Sequence, residues 1–350
     1  FSIPKSEFPL GVGCLVGNAV TLTSFLPYAT IRVRGRSRDT AIWPIRRDIM
    51  EGERVPIILD TDIGSDIDDA LCLAYLLRNP KTELLGITTV TGEAEKRASI
   101  ASALCMAAGR DDIPIHSGAS SPLLIPQRQR TAPQAEVLER WPHRSDFSGN
   151  TAVEFIRDTV RSRPSEVTLL TIGPLTNAGL LFAIDREIPK LLKRLVMMCG
   201  VFTTRTPGVG FLEWNAIGDP HATAIVFGAG VGELISVGLD VTCRCVLPAD
   251  KCRDLLKGDP LLDLIRDMAE VWFRGASHIT FHDPLAASII FDPDICRYEE
   301  GEVEVELTSP RLQGMTLWNP RSSKKPHRIA IDVDQKRFFD HYFGIVRETG

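Results

Sequence analysis

No Cys-x-x-Cys pair occurs in this 350-residue chain, although it holds eight cysteines. They are scattered, and Cys72, Cys105 and Cys199 fall inside apolar runs, where a thiol acts as a small core residue. That excludes a zinc-binding framework and a disulfide-stapled domain, and it points to a reducing, cytoplasmic setting. A surplus of positive charge is also missing. Forty Lys and Arg stand against 45 Asp and Glu, a net charge of −5, so neither nucleic acid nor an acidic membrane surface is the expected partner. Long uninterrupted apolar runs are absent too. Residues 10–29 are broken by Asn18, Thr21, Thr23, Ser24 and Pro27, which is too polar for a membrane span, and no Ala-x-Ala cleavage pattern is present.

What remains is an ordinary soluble composition, 44% hydrophobic and 24% charged, long enough for one large domain or two small ones. Residues 1–49 carry six arginines between Arg32 and Arg47 and do not match the rest of the chain. They are expected to be an extension of unknown role, with a transit peptide as the alternative. The domain is expected over 50–350, beginning near Met50.

The stretch 55–77, VPIILDTDIGSDIDDALCLAYLL, organises that domain. It reads as a buried strand, an acidic turn at Gly64 and a helix opening near Asp68. Five aspartates, Asp60, Asp62, Asp66, Asp68 and Asp69, crowd ten positions at the strand's carboxyl end. Carboxylates so dense repel one another unless a cation neutralises them. Asp66 or Asp68 as a helix N-cap explains one or two of the acids but not five, and a solvated loop fits poorly with the apolar strand feeding it. An all-oxygen donor set suits calcium or magnesium rather than zinc. An EF-hand is excluded, because its sixth and twelfth positions would be Ser65 and Leu71.

Strand and helix then alternate. Strands are expected at 83–90, 113–116, 167–172, 194–198 and 233–237, and helices at 94–109, 151–163 and 335–348. This predicts an α/β fold, an open and mainly parallel (mixed) sheet with helices on both faces. Residues 123–148 are polar and Pro-rich and read as a loop, a candidate rim for an active site.

Five motifs, in order, resemble the inosine-uridine nucleoside hydrolase family. They are DTDIGSDIDDA at 60–70, ITTVTG at 87–92, GPLTN at 173–177, Glu213-Trp214-Asn215 with Asp219-Pro220, and His282-Asp283-Pro284. The acidic turn is two residues longer than the family's Asp-x-Asp-Pro-Gly-x-Asp-Asp, Glu93 stands where an Asn is usual, and Cys199 replaces a Gly. Residues 238–242 resemble a further scaffold strand.

The resemblance implies a nucleoside hydrolase fold and hydrolysis of the N-glycosidic bond of ribonucleosides, releasing base and ribose in purine or pyrimidine salvage. It implies Ca2+ held by Asp62, Asp69, the Ile172 carbonyl and Asp283. Asp62 would also be the general base, since calcium acidifies water only weakly. Asp68, or Asp66 under the other alignment of the longer turn, would bind ribose together with Met198, Glu213 and Asn215. His282 would protonate the departing base or orient it. A homodimer or homotetramer is the implied assembly. Two rival readings stand beside this one. The first is a Mg-dependent phosphohydrolase with an aspartate nucleophile. The second is a riboside-binding protein without catalysis.

Overall fold

Along the central strands, neighbouring side chains point to opposite faces of one sheet, and both faces are buried. In β1 (Val55–Thr61) Ile57 and Leu59 enter one core and Ile58 the other. Burial on both sides is why these strands read as continuous apolar runs rather than alternating ones. The protein is described by a computed structural model covering residues 54–203 and 206–347. The expectation for residues 1–49 lies outside the described residues.

The remaining strands are β2 (Thr82–Thr89), β3 (Ile115–Ser117), β4 (Thr168–Thr171), β5 (Arg194–Met198), β6 (Leu234–Val237), β7 (Val246–Pro248), β8 (His278–Thr280), β9 (Cys296–Val305), β10 (Thr316–Asn319) and β11 (His327–Val333). Nine of them form one sheet in the order β10-β9-β11-β6-β5-β4-β1-β2-β3. Strands β3 to β11 of that row are parallel, and β9 and β10 pair antiparallel at one end. Helices cover one face at Asp68–Arg78, Ala94–Ala107, Pro260–Trp272 and Gln335–Val346, and the other at Ala152–Ser162, Thr176–Ile184 and Pro220–Gly228. The sheet is therefore the mixed, mainly parallel α/β arrangement expected.

Chain order fixes where a ligand can sit. From β1 the chain moves outward through β2 to β3, then returns to place β4 on the other side of β1. Helices consequently leave the carboxyl ends of β1 and β4 in opposite directions, opening a crevice at this reversal of strand order. Asp62 comes directly after β1 and Ile172 directly after β4, so both stand at that crevice.

Two local readings are corrected, and the capping alternative for the acidic turn falls away. Residues 239–242 form a helical turn, Leu239–Thr242, rather than a strand. Within the stretch read as loop, Pro133–Glu139 is a 3-10 helix. The N-cap of the Asp68–Arg78 helix is Ile67, with no side-chain cap, so neither Asp66 nor Asp68 caps it. Asp68 and Asp69 lie instead in its first turn, where the helix dipole favours negative charge.

Candidate active site

Beyond β1 the chain must turn sharply to start its helix, and Gly64 permits this at φ +114°. A side chain there would also meet Ile100 Cδ1 at 2.5 Å. The turn sets Asp68 and Asp69 on the helix's first turn, facing the crevice. From the far end of the chain, β8 delivers the His282–Ser288 helix, which packs on the Asp68–Arg78 helix. The Asp283 backbone N–H donates to Asp68 Oδ2 at 3.2 Å across that contact.

The result is a buried acidic group. Asp68, Asp69 and Asp283 each present a carboxylate oxygen, and these oxygens lie within 4.8 Å of one another. Burial first, then repulsion from neighbouring carboxylates, holds all three well above the usual carboxylate range. Thr61 Oγ1 donates to Asp69 Oδ1. Asp62 is buried beside them and raises the pKa of Asp69 through its charge. Burial raises Asp62 itself, while Arg97 and a hydrogen bond from Gln129 Nε2 at 2.9 Å oppose that rise. Asp66 is only partly buried, turns its Oδ1 to the Ile67 N–H at 2.6 Å and stands outside the group of three.

The distal motifs divide between the crevice and its support. Gly173 of GPLTN has no room for a side chain, since a Cβ would lie 2.7 Å from Asp62 Oδ1. Asn177 Nδ2 donates to Asp60 Oδ1 at 2.7 Å and Thr89 O at 3.0 Å, tying β1 to β2 beneath the acids. Asp60 is fully buried and pushed up to about 7, chiefly by burial. Asn215 Nδ2 donates to the carbonyls of Ile172 at 2.9 Å and Met198 at 3.0 Å, so its Oδ1 is what it can offer a hydroxyl. Glu213 caps the Trp214–Gly218 helix and accepts from the N–H groups of Gly200, Asn215 and Ala216 at 3.0, 2.6 and 2.9 Å. Its carboxylate is thus largely occupied by backbone donors. Asp219 is a cap as well, accepting from Ala222 N, Leu123 N and Thr176 Oγ1. Partly buried His282 places Nδ1 2.7 Å from Thr242 Oγ1, and burial pushes its pKa down to about 4. Glu93 is drawn away from the acids, since it pairs with Lys96 and accepts from Ala132 N at 3.0 Å.

Two residues that carry no sequence motif complete the arrangement. Arg97 is fully buried, and its guanidinium donates to the carbonyls of Asp62, Ile63, Thr91 and Thr131 and to Ser65 Oγ. It supplies the positive charge under the turn. Gln129, from the loop at 123–148, reaches Asp62 directly.

The donor chemistry fits a hard divalent cation. Three buried carboxylates with raised pKa values converge, and every other polar side chain of the turn also ends in oxygen. Sheet, crevice and acidic group together define an open α/β protein with a buried carboxylate site where the strand order reverses. The structure is similar to that of a plant nucleoside hydrolase, with a TM-score of 0.74 and 24% identity, covering 84% of this chain and 99% of the other. Uridine nucleosidase 1 of Arabidopsis thaliana is 31% identical over 307 residues, 81% of this chain and 90% of that protein. The pyrimidine-specific ribonucleoside hydrolase RihA of Salmonella paratyphi B is 30% identical over 82% of this chain and 96% of its own. The sequence profile of the inosine-uridine preferring nucleoside hydrolases matches residues 57–340, and the chain belongs to that family. It is accordingly an N-glycosidase that cleaves the bond between ribose and base. Among the described residues no helix is long and apolar enough to cross a membrane.

Proposed function

We propose that the chain hydrolyses ribonucleosides in a calcium-dependent reaction centred on the carboxyl end of β1. The observation that carries this reading is the convergence of Asp68, Asp69 and Asp283 within 4.8 Å, in a buried crevice. Asp62, Asp69, Asp283 and the Ile172 carbonyl would hold the ion, with Asp68 beside them receiving a ribose hydroxyl. Calcium, when bound, supplies the charge that lets these acids ionise together and gathers water and ribose hydroxyls among them.

Asp62 takes the proton from the attacking water. As the base leaves, the ribosyl group becomes oxocarbenium-like, and the surrounding carboxylates stabilise its positive charge. Asn215 Oδ1 accepts from a ribose hydroxyl, with Met198 and Glu213 shaping the same wall. Partly buried and neutral, His282 lies 2.7 Å from Thr242 Oγ1 through Nδ1. In the tautomer whose Nδ1 accepts from that hydroxyl, Nε2–H is left to face the departing base. It acts by donating a hydrogen bond and orienting the base rather than as an imidazolium. The names of the two curated relatives favour uridine as the first substrate to assay. Six buried free cysteines, Cys72, Cys105, Cys199, Cys245, Cys252 and Cys296, support a cytoplasmic setting.

A nucleoside panel assayed for released ribose, with calcium and with chelator, tests the reading. Ribose should appear from uridine with calcium and fall away with chelator. Release unaffected by chelator contradicts the calcium requirement. Phosphate release from phosphomonoesters with no ribose from any nucleoside contradicts the reaction itself.

A further inference from the structure

Gln129 lies in a strap, residues 127–134, that crosses the crevice beside Asp62. Its carboxamide is fully engaged, and the partners fix its orientation. An indole N–H can only donate and a carboxylate oxygen accepts, so Oε1 faces Trp214 Nε1 and Nε2 faces Asp62 Oδ2 at 2.9 Å and Ser65 Oγ at 2.6 Å. The strap is anchored at the same place. Thr131 O accepts from Arg97 at 3.1 Å and from Ser65 Oγ at 3.3 Å. Gln134 donates through its backbone N–H to Gly64 O at 3.0 Å and through Nε2 to Ser65 O at 3.2 Å. Ser65 belongs to the part of the acidic turn that is two residues longer than the family pattern. The longer turn is thus the dock on which the strap rests.

We propose that Gln129 is a positioning residue for the reaction: its amide fixes the direction of Asp62 Oδ2 and links that direction to the Trp214 indole across the crevice. This rests on the reading of Asp62 as the base. A carboxylate that must meet one water in one direction loses rate when it is free to rotate, because misdirected rotamers do not react. Gln129 itself touches neither water nor substrate in this account.

The test compares Gln129→Met, which keeps length and removes the hydrogen bonds, with Trp214→Phe and Asp62→Asn, by steady-state kinetics on a ribonucleoside. Gln129→Met should lower kcat about ten- to hundred-fold, the size of a hydrogen bond to a charged group, and leave KM within about three-fold. Trp214→Phe should lower kcat by less, again with little change in KM. In the parent protein the Trp214 indole N–H resonance, assigned by its loss in Trp214→Phe, should move upfield on Gln129→Met. In an Asp62→Asn background, Gln129→Met should cost no further rate, because the group it positions is gone. If Asp62→Asn itself turns over normally, the base assignment fails and this inference with it. If Asp62→Asn is silent but Gln129→Met keeps kcat, or loses rate only through KM, the positioning role alone is overturned.

Discussion

Two sets of buried carboxylates in this molecule differ in what surrounds them. Asp219 and Asp240 each receive several donors: Asp219 from Ala222 N, Leu123 N and Thr176 Oγ1, and Asp240 from Phe202 N, Thr203 N and Thr203 Oγ1. Asp68, Asp69 and Asp283 are as deeply buried, yet what faces them is chiefly other carboxylates. A buried acid ringed by N–H groups is a structural clamp whose charge is already stabilised. Buried acids that face one another leave that charge unbalanced, and a cation restores it. Burial alone therefore does not mark the site; the shortage of donors does.

The largest expected break in this comparison is at Asp62. Asp62→Asn should cut turnover by about two to four powers of ten, the range for a lost general base, while riboside binding largely persists. Asp219→Asn should do the reverse. It leaves chemistry intact in the folded protein but lowers stability by on the order of 1–3 kcal/mol, the cost of unsatisfied buried partners, read as a lower melting temperature. Normal turnover in the first variant, or a silent but fully stable second one, contradicts the division.

A smaller effect is expected at His282. Because its imidazole is neutral, with a pKa pushed down to about 4, His282→Ala removes a hydrogen bond rather than a proton. The loss on natural nucleosides should fall at the low end of the range of about 10²–10⁴ for general acids. A p-nitrophenyl riboside, whose leaving group needs no such help, should be spared. Equal slowing of both substrates places His282 in support of Asp283 instead.

The pH dependence comes from the crowded acids. Asp60 is raised from 3.8 to about 7, so the folded protein keeps a proton that the unfolded chain gives up. Its contribution to stability is fully present below pH 3.8 and is lost as pH rises through about 7. Asp68, Asp69 and Asp283 shift in the same direction. Calcium would bind the ionised acids, so the gain in melting temperature on adding calcium should grow as pH rises from about 4 to about 7. A gain independent of pH, or one that shrinks, contradicts a carboxylate site. The smallest effect is expected at partly exposed Asp66. Asp66→Asn should leave turnover near that of the parent, whereas Asp68→Asn should raise KM.

How much of this was legible in the sequence depends on chain distance. β1, the acidic turn and its helix lie within 24 residues, from Val55 to Arg78, and their apolar run, glycine and aspartates announce them. GPLTN and His-Asp-Pro could be placed because glycine, proline and paired polar residues punctuate them. Arg97 gave no signal, since one arginine inside a helix reads as a surface charge until the fold buries it. Gln129 meets Asp62 across 67 residues, and no local pattern encodes that contact. Residues 239–242 depart from the strand expected there because a four-residue segment is too short for periodicity to separate a turn of helix from strand. Glu213 is the subtler case. The motif singled it out, but its three backbone donors appear only when the chain is folded.

The most direct measurement is calcium binding by titration calorimetry on the parent protein and on Asp69→Asn, Asp283→Asn and Asp219→Asn. The account predicts one calcium per chain in the parent, binding lost in the first two variants, and binding unchanged in Asp219→Asn. Unaltered calcium binding in Asp69→Asn and Asp283→Asn, or loss in Asp219→Asn alone, would contradict it.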